Sequence, residues 1–150
     1  MAAKRFMLPV TVTHDANKIT IAQFLQGTNK RGLIHAVRLS PLGPTSATAP
    51  LYWLLGTQDG PGTSVSANND LIKVPPAFAQ AIETTALKTF SGEPAASTPM
   101  FDAISVHQQS AFTWVPPLGP VVMEAAERWA LWYPAGQGAV TVRYEFHLEE

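Results

Sequence analysis

Val140-Thr141-Val142-Arg143-Tyr144-Glu145-Phe146-His147-Leu148-Glu149 alternates without a fault: Val140, Val142, Tyr144, Phe146 and Leu148 are apolar, and every residue between them is polar. Successive side chains of a β-strand point to opposite faces, so one face of this stretch belongs to a core and the other is wet or pairs with a partner. The strand falls within residues 138–150 and is the last of the chain. Before it, Pro134-Ala135-Gly136-Gln137-Gly138 supplies the glycines of a tight reversal. This predicts a hairpin with residues 128–133, in which Trp129, Leu131 and Tyr133 share a face and Trp132 takes the other. One of Trp129 and Trp132 is then core, and the other is at a surface or an interface.

Upstream, Phe6, Leu8, Val10 and Val12 alternate with Met7, Thr11 and Thr13, and Pro9, which lacks a donor for a sheet ladder, predicts an edge strand. Residues 18–26, with Ile19, Ile21 and Phe24, fit either a strand or a short helical turn, and a strand is the favoured reading. Leu33, His35, Val37 and Leu39 form the apolar face of another, which makes His35 a hydrogen-bonded buried or interface imidazole. The unbroken apolar run at residues 51–56 fits a central strand covered on both faces. Residues 57–69 and 90–99 read as loops, residues 77–87 as a place for one short helix, and short strands are expected near 103–106, 111–115 and 121–123. The sum is an all-β chain, a single-domain antiparallel β-sandwich of jelly-roll-like form with roughly eight to ten strands. It spans residues 1–150 with a short N-terminal arm at about residues 1–6.

Composition agrees. The chain has 150 residues, enough for one domain with a real core, and its 13 prolines and 10 glycines show no repeat. Charged residues make up only 14%, which leaves a surface rich in neutral polar groups or covered by partners. There is no cysteine, so disulfides and cysteine-based metal sites are excluded and a reducing cytoplasm is a compatible place of assembly. Residues 1–10 lack the form of a secretory leader, and no apolar run approaches the roughly 20 residues that span a bilayer. A net charge of −1 argues against direct nucleic-acid binding, although Lys4, Arg5, Lys18, Lys30, Arg31 and Arg38 crowd the first part of the chain and acidic residues the last.

Chemistry-bearing motifs are missing. His14, His35, His107 and His147 are scattered without ligand spacing, and no nucleophile elbow surrounds any serine. Gly60-Pro61-Gly62-Thr63-Ser64 lacks the lysine and the helix of a phosphate loop, and Glu124 and Glu127 read as solvated charges at a turn. The expectation is a protein without catalytic residues, cofactor or metal. The tryptophans are the one recognition-like feature: core plus an oligomer interface is one reading, and a sugar-stacking platform another.

The order of elements carries a resemblance. Ile21-Ala22-Gln23-Phe24-Leu25 with Asn29-Lys30-Arg31, then residues 44–50, Gly56-Thr57-Gln58, Trp114-Val115-Pro116-Pro117-Leu118-Gly119 and the closing residues 139–146 together resemble the small jelly-roll or β-sandwich virion proteins of tailed bacteriophages, of the capsid decoration (cement) type. The resemblance implies a structural protein on the capsid exterior, assembled in the host cytoplasm, that clamps neighbouring major capsid subunits. It also implies a homo-oligomer, a trimer being favoured, with no catalytic residues to transfer. Contacts to partners are then expected at Lys4, Arg5, Phe6, Trp132, Arg143 and Glu145, and in the loop at residues 57–69. The alternative is a carbohydrate- or receptor-binding module of a virion, using an exposed tryptophan.

Overall fold

Alternation at the end of the chain produces the longest inside-outside pattern of the molecule: residues 140, 142, 144, 146 and 148 are buried and those between them are not. The computed structural model describes residues 4–15, 17–42, 50–67, 71–74, 82–94, 97–101, 103–107 and 109–150, with backbone only at 64–67. Among these residues there are thirteen strands and no helix. In chain order they are β1 (Arg5–His14), β2 (Ile19–Leu25), β3 (Gly32–Leu42), β4 (Leu51–Gln58), β5 (Thr63–Ala67), β6 (Ile72–Val74), β7 (Thr85–Gly92), β8 (Ser97–Pro99), β9 (Ile104–Val106), β10 (Phe112–Trp114), β11 (Val121–Met123), β12 (Arg128–Tyr133) and β13 (Val140–Glu149).

They form two antiparallel sheets packed as a sandwich, as the alternation predicts. One has six strands in the order β10-β3-β13-β1-β6, with β11 also on β3; the other has seven in the order β5-β7-β2-β12-β4-β8, with β9 also on β4. The strand count exceeds the expected eight to ten because β5 lies within the presumed loop at residues 57–69, β8 and the end of β7 lie within the one at 90–99, and β6 follows the first of these loops. The helix expected within residues 77–87 is corrected where it can be read, since residues 85–87 open β7; residues 77–81 lie outside the described residues. Of the expected N-terminal arm, residues 1–3 also lie outside them, while Arg5 and Phe6 are already in β1, paired with Glu149 and Leu148.

Two registers correct the sequence reading. The predicted hairpin of residues 128–133 with the last strand does not form: β12 pairs with β2 and β4 in one sheet, β13 with β1 and β3 in the other. The intervening Pro-Gly segment crosses between the sheets, held by the Tyr133 hydroxyl donating to the Gly138 carbonyl at 2.6 Å. In β3, pairing with β13 passes from Ile34 with Leu148 to Ala36 with His147, leaving His35 as the extra residue of a bulge. A one-residue slip exchanges the faces of everything beyond it. Ile34, Val37 and Leu39 are therefore the buried residues, and Leu33 and His35 turn outward instead of lining the core.

The core joins both sheets. Phe24 of β2 meets Phe146 of β13 edge-on, with ring centres 5.1 Å apart. At one end His14, Trp53, Tyr133 and Tyr144 cluster, drawn from β1, β4, β12 and β13. Trp53 donates its indole N–H to the Tyr144 hydroxyl at 2.7 Å, and the same hydroxyl is hydrogen-bonded to His14 Nε2. His14 is buried, and its Nδ1 has no partner among the described residues. Removal from water disfavours its charged form and lowers its pKa to about 4.

Candidate interaction surface

The six-stranded sheet turns one face to solvent. Down its middle runs the outward row of β13, Thr141, Arg143, Glu145, His147 and Glu149, and beside it Arg38, Ser40 and His35 from β3 and Arg5, Met7 and Thr11 from β1. Part of this row is internally paired. One oxygen of Glu149, Oε2, accepts from Arg5 Nε and lies in hydrogen-bonding contact with His35 Nε2, each at 3.2 Å, and His147 Nε2 lies 3.5 Å from Glu145. Arg143 and Arg38 differ: both are exposed, and neither guanidinium has an ion-pair or hydrogen-bond partner among the described residues. Arg143 lies opposite Thr11 and Ser40, and Arg38 opposite Glu145.

On the seven-stranded sheet the outer face is instead buried around Thr20, Gln23, Gln58 and Trp132. Gln23 donates to Gln58 Oε1 at 2.8 Å and to the Gly60 carbonyl at 2.9 Å, and Gln58 donates to Thr20 at 3.2 Å and Ser97 at 3.0 Å. Glu93 accepts both the backbone N–H and the hydroxyl of Thr20, and Lys18 donates to Ser97 at 2.8 Å. The strand β8 approaches so closely that a Cβ on Gly56 would lie 2.0 Å from the Thr98 carbonyl. Trp132 lies on this covered face, 3% exposed, with the Lys18 ammonium 5.7 Å from its ring centre.

The six expected contact residues thus separate. Arg5, Arg143 and Glu145 share the open face. Phe6 is a core residue and Trp132 is buried, so neither side chain offers a partner more than a sliver of surface; the expected contact through Trp132 fails because β12 is buried on both faces there. Trp129 is buried too, which corrects the expectation that one of the two tryptophans reaches a surface and removes both rings from a sugar-stacking platform. Lys4 is committed internally: its ammonium lies 3.2 Å from Glu150, whose other oxygen accepts the backbone N–H groups of Glu83 and Thr84 at 2.8 Å and the Thr84 hydroxyl at 3.0 Å. Burial opposes the charge of Glu150, but these donors outweigh it and hold its pKa below the usual carboxylate range. Glu124 and Glu127 are not idle charges: Glu124 pairs with Arg31 at 2.8 Å, and Glu127 accepts from the backbone N–H of Glu124 and the indole of Trp129, each at 3.0 Å.

One feature escapes a reading by residue type. Between β10 and β11, residues 115–120 bulge from the sheet edge in a turn where the Gly119 N–H donates to the Pro116 carbonyl at 3.3 Å and Gly119 takes φ +97°. Leu118 at its tip is 97% exposed and Val115 61%. Phe112 and Val122 flank the turn, so four of the nine large apolar side chains exposed among the described residues gather here. Behind it Trp114, Phe101 and Trp129 pack ring against ring, with centres 5.8 and 6.2 Å apart. The signal was present in Pro117-Leu118-Gly119-Pro120, a leucine where turns ordinarily carry polar residues.

Among the described residues no group of three or more His, Asp or Glu side chains converges as a metal site would require. No helix among them is long and apolar enough to cross a membrane. Compared with known protein families, with curated proteins and with solved structures, the chain matches none.

Proposed function

We propose that this chain is a structural virion protein of the capsid decoration type, which works by burying its surface between other subunits on the outside of a capsid. The single observation that carries the reading is the open face of the six-stranded sheet, where Arg38 and Arg143 stand without a carboxylate partner among the described residues. On a sheet face, opposed charges tend to pair, and an arginine fork left open is suited to bidentate contact with a carboxylate on another protein. The occupant of this face is then the major capsid protein, through an acidic patch. The earlier resemblance supplies the identity of that partner; the residues supply its chemistry.

The test is decoration of purified capsids, imaged by electron microscopy with and without the protein. Wild-type chain should occupy regular positions on the particle, and Arg143→Glu should weaken occupancy by at least about tenfold while folding normally, because reversing a charge at an interface creates like-charge repulsion. Capsids that never acquire the wild-type protein would show the reading to be wrong.

A further inference from the structure

The six-stranded sheet has an apolar projection at one edge and an apolar trough toward the other. The projection is the rigid turn at residues 115–120, stiffened by Pro116, Pro117 and Pro120 and backed by the Trp114 ring. The trough, about 530 Å³, runs across the open face toward β6, with Met7 and Val74 among its apolar walls and Arg5, His35 and His147 at its polar side. Val74 and Ile72, two residues apart on β6 and in register with Arg5 and Met7 of β1, are about half exposed. Edges of this kind in a sheet protein are normally charged, twisted away or covered.

We propose that the two surfaces bind each other between copies of this chain, Leu118 of one copy entering the Met7–Val74 trough of the next. Two properties fit them together beyond apolarity. The segment at residues 111–123 contains no charged residue, so it enters an apolar trough without stranding an ion. Its three prolines also lack N–H groups, so the turn offers mainly carbonyl acceptors, and the trough answers with donors: the terminal guanidinium nitrogens of Arg5, which contacts Glu149 through Nε, and the imidazole of His147. Because projection and trough lie on different parts of the surface, the contact is heterologous, and successive copies close into a ring or extend as a chain. This inference does not depend on the capsid reading, since it concerns the isolated protein.

The experiment is the mass of the purified chain by sedimentation over a wide concentration range, for wild type, Leu118→Asp, Val74→Glu and an equimolar mixture of the two variants. Wild type should associate, and each variant alone should be weakened by at least about tenfold, as expected of a central apolar anchor. The mixture is decisive. Leu118→Asp retains an intact trough and Val74→Glu an intact projection, so together they should form a one-to-one pair that grows no further. Leu118 is almost wholly exposed, so its variant should unfold at the wild-type temperature, and a matched circular dichroism spectrum for Val74→Glu excludes misfolding. A monomeric wild type at every concentration overturns the proposal, as does a Val74→Glu variant that associates normally. Should Leu118→Asp abolish association and the mixture fail to pair, the projection meets itself or another surface, and the trough assignment is wrong.

Discussion

On the six-stranded sheet, the outward side chains of β13 stay in solvent and settle into a ladder of partial ion pairs; on the seven-stranded sheet, Thr20, Gln23 and Gln58 are buried and, with Ser97 of the neighbouring strand β8 and the turn at Gly60, form a closed network of amides and hydroxyls. Both sites hold polar side chains, yet their physics is opposite. In the open row each group can exchange a protein partner for water, so any one contact is worth little. In the covered row water is excluded, and a group that loses its partner keeps the full penalty of desolvation. Polar residues on the covered face therefore specify how the chain folds back, while those on the open face are left for a partner.

Substitutions can sharpen or break this contrast. Trp132→Ala on the covered face should cost the most, about 3–5 kcal/mol of stability by chemical denaturation, because it leaves a cavity beneath Lys18 where a buried ring was. A loss under about 1 kcal/mol would mean that this face is open in solution. The His14 cluster should come next, through pH. An unfolded chain protonates this imidazole near 6.5 and the folded chain only near about 4. Between those values the unfolded state holds more protons, so the stabilisation is fully present above pH 6.5 and is lost as pH falls through the folded value, by roughly 3 kcal/mol over the window. Thermal melts from pH 7 to 4 should show this slope, and His14→Phe should flatten it; an unchanged slope would place its origin elsewhere. Glu150, with a depressed folded pKa, should add its own loss only as pH falls below the ordinary carboxylate value of 4.5. The smallest effect belongs to the open face: Arg143→Glu should alter stability by no more than about 0.5 kcal/mol, the range of an ordinary surface change. Unfolding of that variant would show the face to be internal.

Several parts of this architecture were legible in residue order. The alternation of β13 gave its inner and outer faces residue by residue, and the same rule identified β1, with Pro9 tolerated in it where the described part of β6 covers only Arg5 to Met7. Arg5, Arg143 and Glu145 could be assigned to a solvent face from that pattern alone. Trp132 could not be judged, because alternation tells which residues share a face but not whether a second layer covers it; Phe6, by contrast, shares the apolar face of Leu8 and Val10 and was legible as core.

Local sequence thus determined strand character, the all-β class and the two sides of the last strand, since these follow from the geometry of a single extended chain and the preference of apolar groups for a core. Tertiary structure alone decided three things. The reversal after Tyr133 became a crossing between sheets rather than a hairpin, because pairing partners are chosen by packing across the whole chain and not by the turn. The bulge at His35 exchanged the faces of β3, because register is set by the neighbouring strand. The Gln23–Gln58 row became an interior, because exposure is a property of what lies opposite a residue, and nothing in its immediate neighbours records that.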